Sequence, residues 1–157
     1  SDAKTDSCRF SFCAGENKDK NMKKEIRSIN PKSLKIPTKA YSQGVLIPLG
    51  NADLLFVTGQ IAQDIDGNVV APNDAKIQTE LVFSRIADIL AEAEMTMDHV
   101  VKAQIFLTNI QDSPIVSKVR DEVFKKSRPA STLIGVSSFV KEGCCVEIEV
   151  TAVRLKI

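Results

Sequence analysis

The stretch RPASTLIGVSSFVKEGCCVEIEVT, residues 128–151, decides how the rest of the chain folds. Its second half sets two carboxylates, Glu147 and Glu149, inside an apolar run. In a strand, residues i and i+2 share a face. Cys145, Glu147, Glu149 and Thr151 therefore fall on one side, and Val146, Ile148, Val150 and Ala152 on the other. The apolar side faces a core, which leaves the acids on the opposite surface of the same sheet. Open to solvent, they are ordinary sheet-surface residues. Covered by a second subunit or a ligand, a carboxylate there loses water and its pKa rises, which makes it a candidate general acid or base.

Upstream of this stretch the elements follow from periodicity. KAYSQGVLIPLGNADLLFVTGQIAQ, residues 39–63, gives two strands over 42–48 and 54–58, joined by a turn at Gly50 and Asn51. Asn73 or Asp74 can cap a helix in which Ile77, Leu81, Val82, Ile86, Ile89, Leu90 and Ala93 recur at helical spacing. A strand over 100–108 follows. Ser113 and Pro114 suit the start of a second helix, with Ile115, Val116, Val119, Val123 and Phe124 as its apolar stripe. Arg128 and Pro129 end it. Strands over 131–136 and 144–155, separated by a turn at Lys141, Glu142 and Gly143, complete a β-β-α-β-α-β-β order. Two one-sided helices predict an α+β fold with both helices on one face of a sheet. The other face carries apolar residues beside the two acids, and such a surface favours a closed oligomer packed through the sheets.

The 157 residues suffice for one domain with a sizeable core, and no apolar run approaches the length of a membrane span. The formal net charge of +1 lacks the basic excess of a nucleic-acid binder. Four cysteines, Cys8, Cys13, Cys144 and Cys145, make neither a disulfide framework nor a zinc-ligand pattern. The adjacent pair reads as small apolar filler, and reduced thiols fit a cytoplasmic compartment. Residues 1–30 lack both periodicity and the apolar segment of a secretory signal, and they carry acids that transit peptides avoid. They are expected to form a loosely ordered extension, leaving 31–157 as a single domain. The single histidine, His99, precedes a strand and is expected to be structural or surface-exposed. Phosphate-binding glycine loops and Ser/His/Asp sets are missing from the sequence.

Five segments together resemble the RidA/YjgF family, which is also known as the L-PSP endoribonuclease family. They are Tyr41 with Gln43 and Gly44; VTGQIAQD at 57–64; MDHVVKAQIFL at 97–107; Arg128, Pro129 and Ala130; and VEIEVTAV at 146–153. The resemblance spans about residue 28 to the end of the sequence. It implies a chorismate-mutase-like α+β subunit with one mixed sheet, a homotrimer packed through the sheets, and ligand clefts between subunits. The activity implied is hydrolysis of reactive imines or enamines to ammonia and a 2-oxo acid, with no cofactor and no metal.

By the same resemblance Glu147 handles water or a proton, and Tyr41, Thr58 and Gly59 line the cleft. The family's carboxylate-binding arginine aligns with Ser131, and its following cysteine with Leu133. Ser131 and Thr132 would then replace ionic contacts with neutral hydrogen bonds and shift the substrate range. Arg128 either substitutes for the arginine or caps helix carbonyls. A non-catalytic small-molecule-binding trimer is the alternative. A ribonuclease or translation inhibitor ranks lower, for want of a basic surface and an acid–base pair.

Overall fold

The computed structural model describes residues 25–157. Most of the expected extension, with Cys8 and Cys13, lies outside the described residues. The described part of it contains a strand that was not expected, β1 (Arg27–Ile29), which pairs antiparallel with β2 (Gly44–Pro48). The domain therefore begins before residue 31. The remaining elements are β3 (Ala52–Ile61), α1 (Ala75–Glu92), β4 (Val100–Leu107), α2 (Ser113–Val123), β5 (Ala130–Gly135) and β6 (Val146–Leu155).

The sheet order is β1-β2-β3-β6-β4-β5. Every pair is antiparallel except β4 with β5, which run parallel because α2 carries the chain from one to the other. A tight turn with Gly50 at φ +74° closes the β2–β3 hairpin where the sequence placed it. Last in the chain but third from one edge, β6 runs between β3 and β4.

From Val146 onward the alternation along β6 is as read: Val146, Ile148, Val150 and Ala152 are buried, with Glu147, Glu149 and Thr151 only half-buried on the other face. The core between sheet and helices joins these to Val82, Ile86, Ile89 and Leu90 of α1 and to Val116 of α2. Each of the Val, Ile and Leu side chains contributes about 1.5–3 kcal/mol by burial. Cys145, expected on the acid face, instead precedes the strand and is buried in the core, where its N–H donates to Gln78 Oε1 of α1 at 2.8 Å. Asp74, not Asn73, caps α1: its Oδ1 accepts from the Ile77 N–H at 2.9 Å. Two positions of the α1 stripe differ from expectation. Ile77 is 47% exposed because it falls on the outer side of the helix, while Ala75 and Gln78 of the same turn are buried. Phe83 is buried instead, edge-on to Phe124 with ring centroids 5.3 Å apart, and so joins the two helices.

Candidate active site

The site is built where β3 departs from regular pairing. The β3–β6 register slips between Val57 and Gln60, so Thr58 and Gly59 form a bulge. The Glu147 carboxyl lies directly against that bulge. A methyl group on Gly59 would stand 2.2 Å from Glu147 Oε1 and 3.0 Å from its Cδ. A side chain at position 59 would push the carboxyl out of this place, so the bare glycine is what lets the acid sit against the backbone. Burial pushes the Glu147 carboxyl above the usual carboxylate range, and the charge of Glu149 adds to the effect.

Polar side chains hold the bulge from beneath. Thr58 donates its N–H to Gln43 O at 2.9 Å and its hydroxyl to Ser42 O at 2.6 Å. The buried Gln60 donates through Nε2 to Gln43 Oε1 and to Thr58 O, each at 2.9 Å. Behind Gln60 stands Arg85 of α1, only 3% exposed. It donates to Gln60 Oε1 at 3.1 Å and to Gln63 O at 2.8 Å. No carboxylate bonds to it among the described residues, and its Nε is without a partner. Burial lowers the Arg85 pKa, against the opposing fields of Asp88 and Tyr41. Tyr41, 53% exposed, stands on the loop before β2.

The predicted site residues divide between the two faces of the sheet. Glu147 is level with Phe106, and Phe106 with Ile134; Glu149 is level with Gln104, and Gln104 with Thr132. These residues share the outer face, away from the helices. Ser131 pairs with the buried Ala103, and Leu133 with the buried Ile105, so both lie on the helix face. From Glu147 to Ser131 is two strands across and three residues along, about 14 Å between Cα atoms. Within one chain, then, Glu147, Thr58, Gly59 and Thr132 occupy one face. Ser131 and Arg128 instead line a pocket on the other side, beside the end of α2.

Sequence reasoning missed Gln43, Gln60 and Arg85 as a supporting network. The available signal was a cation at position 85 inside the apolar stripe of α1, three residues after Val82 and four before Ile89. His99 has the structural role expected of it: Nδ1 accepts from the Thr96 N–H at 2.9 Å, closing the short turn before β4. Cys144 and Cys145 are free and buried. Burial raises both thiols, Cys145 to about 11, as befits filler. No helix among the described residues is long and apolar enough to cross a membrane.

The chain is similar to known proteins in sequence and fold. Residues 32–154 match the family model described as Endoribonuclease L-PSP. A RutC family protein of Pyrococcus abyssi is 34% identical over 120 residues, covering 76% of this chain and 89% of that protein. A crystal structure from Yersinia pestis, described as a protein of unknown function of the conserved Rid family, superposes with a TM-score of 0.73 at 35% identity, covering 82% of this chain and 98% of that one. The chain belongs to the RidA/YjgF family. One relative, from Dermatophagoides farinae, is named 2-iminobutanoate/2-iminopropanoate deaminase; it is 29% identical over 113 residues, 72% of this chain and 84% of that protein.

Proposed function

We propose that the protein hydrolyses a reactive imine, or the enamine that tautomerises to it, and releases ammonia. The observation that carries this is the half-buried Glu147 carboxyl of raised pKa, packed on the bare backbone of Gly59. A base of that kind accepts a proton from water as the oxygen attacks the imine carbon. The same carboxyl returns that proton to the nitrogen, giving the neutral carbinolamine; it then takes the hydroxyl proton and delivers it to the nitrogen as the carbonyl forms and ammonia departs. One water enters; a carbonyl compound and ammonia leave. This balance requires no electron transfer.

The outer face favours assembly of copies through their sheets, and the family resemblance implies three. Phe56, Val101 and Ile134 are 48, 47 and 45% exposed on a surface that otherwise carries the two acids. A second copy over that surface would exclude water from Glu147 and could bring another chain's Ser131, Leu133 and Arg128 toward it. In this arrangement Tyr41, Thr58, Gly59 and Thr132 line the acidic wall.

The test is ammonia release from imines generated in place by an amino-acid oxidase, across aliphatic, aromatic and polar side chains. Wild type accelerates release from at least one imine, and Glu147→Gln slows it by about 100-fold or more. Full turnover by Glu147→Gln, or no acceleration with any imine, rejects the proposal. The second outcome would favour a non-catalytic binding trimer, the reading that Ser131 supports by standing where an arginine would hold a substrate carboxylate. A compound that raises Tm yet is never turned over would then be the expected finding.

A further inference from the structure

The reaction proposed above makes no use of Arg85, a charge buried on the helix side of the sheet. A cation taken out of water without a bonded counter-ion is costly. A neutral donor would serve its two acceptors, Gln60 Oε1 and Gln63 O, without that cost. Its Nε bonds to nothing among the described residues, so the site is not built to extract every hydrogen bond from the guanidinium either. Stability alone therefore leaves the charge unexplained.

What a neutral group cannot do here is fix a direction. A guanidinium donates and never accepts, whereas a carboxamide can turn either end toward its neighbour. Facing Arg85 Nη2, Gln60 must present Oε1, at 3.1 Å. Its Nε2 is thereby turned toward Thr58 O and Gln43 Oε1, each at 2.9 Å. Gln43 in turn presents its own Nε2 to Lys35 O at 3.0 Å. The donors run one way from the cation, through two amides that are 2 and 4% exposed. Bonds aligned in this manner polarise and strengthen one another. Reversed, Gln60 would set Oε1 against the Thr58 carbonyl, acceptor to acceptor.

That carbonyl belongs to the peptide joining Thr58 to Gly59, and the Glu147 carboxyl rests on Gly59. We propose that Arg85 is a positioning residue for Glu147: by orienting Gln60 it holds the Thr58–Gly59 peptide as the seat of the carboxyl. This role rests on the one given to Glu147 above. It is exercised from the other face of the sheet, through Gln60.

The experiment is an NMR titration of the Glu147 carboxyl carbon in the full chain, with imine turnover measured beside it. The other ionisable groups near that carboxyl are Glu149 on its own strand and Cys144 and Lys141 in the turn before it; Ile61 of β3 and Phe106 of β4, level with it, carry no charge. None of these changes with residue 85. Arg85→Met lets Gln60 turn, the carboxyl loses its seat to water, and Glu147 titrates lower than in wild type. Loss of the cation's field alone would move it the other way. Turnover falls about 10- to 100-fold, as for a small misplacement of a reacting group, with KM little changed. Gln60→Leu gives the same shift, and combining it with Arg85→Met adds nothing, because both act through one chain of bonds. Arg85→Lys keeps a donor-only cation toward Gln60. It stays closer to wild type in titration and turnover than Arg85→Met does, although it is the less stable of the two; an effect of stability alone gives the reverse order. The titration is read whether or not an imine is turned over, so failure of the deaminase reading and failure of this role are separately visible. The inference is overturned if Glu147 titrates unchanged or higher in Arg85→Met, if the effects of Gln60→Leu and Arg85→Met add, or if Arg85→Lys falls below Arg85→Met.

Discussion

Glu147 is held in an environment that its ionised form disfavours, and the consequence is measurable. Its native pKa lies above the ordinary carboxylate value, so the native state takes up the proton more readily than the unfolded chain does. That favourable contribution is complete below the unfolded pKa and is lost as pH rises through the native one. Glu147→Gln should therefore unfold at a higher urea concentration than wild type at pH 7 and at the same concentration near pH 4. Asp53 is the opposite case. Burial works to raise its carboxyl, but hydrogen bonds from Lys156 and Arg154 outweigh that and hold it below the usual range. Its contribution is present above the unfolded pKa and lost as pH falls through the native one. Asp53→Asn should cost about 2 kcal/mol at pH 7, a buried-pair loss discounted for partly exposed partners, and the difference should close in acid. Urea titrations at several pH values check both. Gly59→Ala tests position, not charge: the added methyl displaces the carboxyl, so imine turnover should fall at least about 10-fold with the fold intact by circular dichroism.

Between α1 and β3, the unit that matters is the chain of bonds from Arg85 through Gln60 to Gln43 and Thr58. It fixes an irregular stretch of β3 that sheet pairing alone leaves unsupported. Arg85 bridges two acceptors with a planar fork, which lysine cannot reproduce. Arg85→Lys keeps a buried charge while losing a hydrogen bond, and is expected to destabilise by about 2 kcal/mol or more. Arg85→Met leaves acceptors unpaired but removes the buried charge, and should cost less. Equilibrium unfolding of the two variants tests that order. The same bonds explain why sequence periodicity described α1 well and β3 poorly. Helical spacing reports which side faces the core, whereas a bulge depends on contacts 17 and 25 residues away.

For the whole molecule, the unpartnered outer sheet governs. A surface with Phe56, Val101 and Ile134 about half exposed is stable in water when another copy covers it. Sedimentation equilibrium should give three times the 17.2 kDa chain mass, and Phe56→Glu should dissociate the assembly and abolish imine turnover together. A monomeric wild type would leave the outer face around Glu147 open to water, without the enclosure that the proposed reaction requires.

Read alone, the sequence determined the element order, the two faces of β6, the hairpin at Gly50 and the side of each helix that meets the sheet. All of these follow from local periodicity and turn chemistry, which act over a few residues. Only the tertiary structure decided that β6 runs between β3 and β4, that Arg27–Ile29 adds an edge strand, and that Ser131 and Arg128 stand on the opposite face from Glu147. Those outcomes depend on strand register and on which strands become neighbours. Both are set by packing between segments distant in the chain, where spacing along the sequence carries no signal.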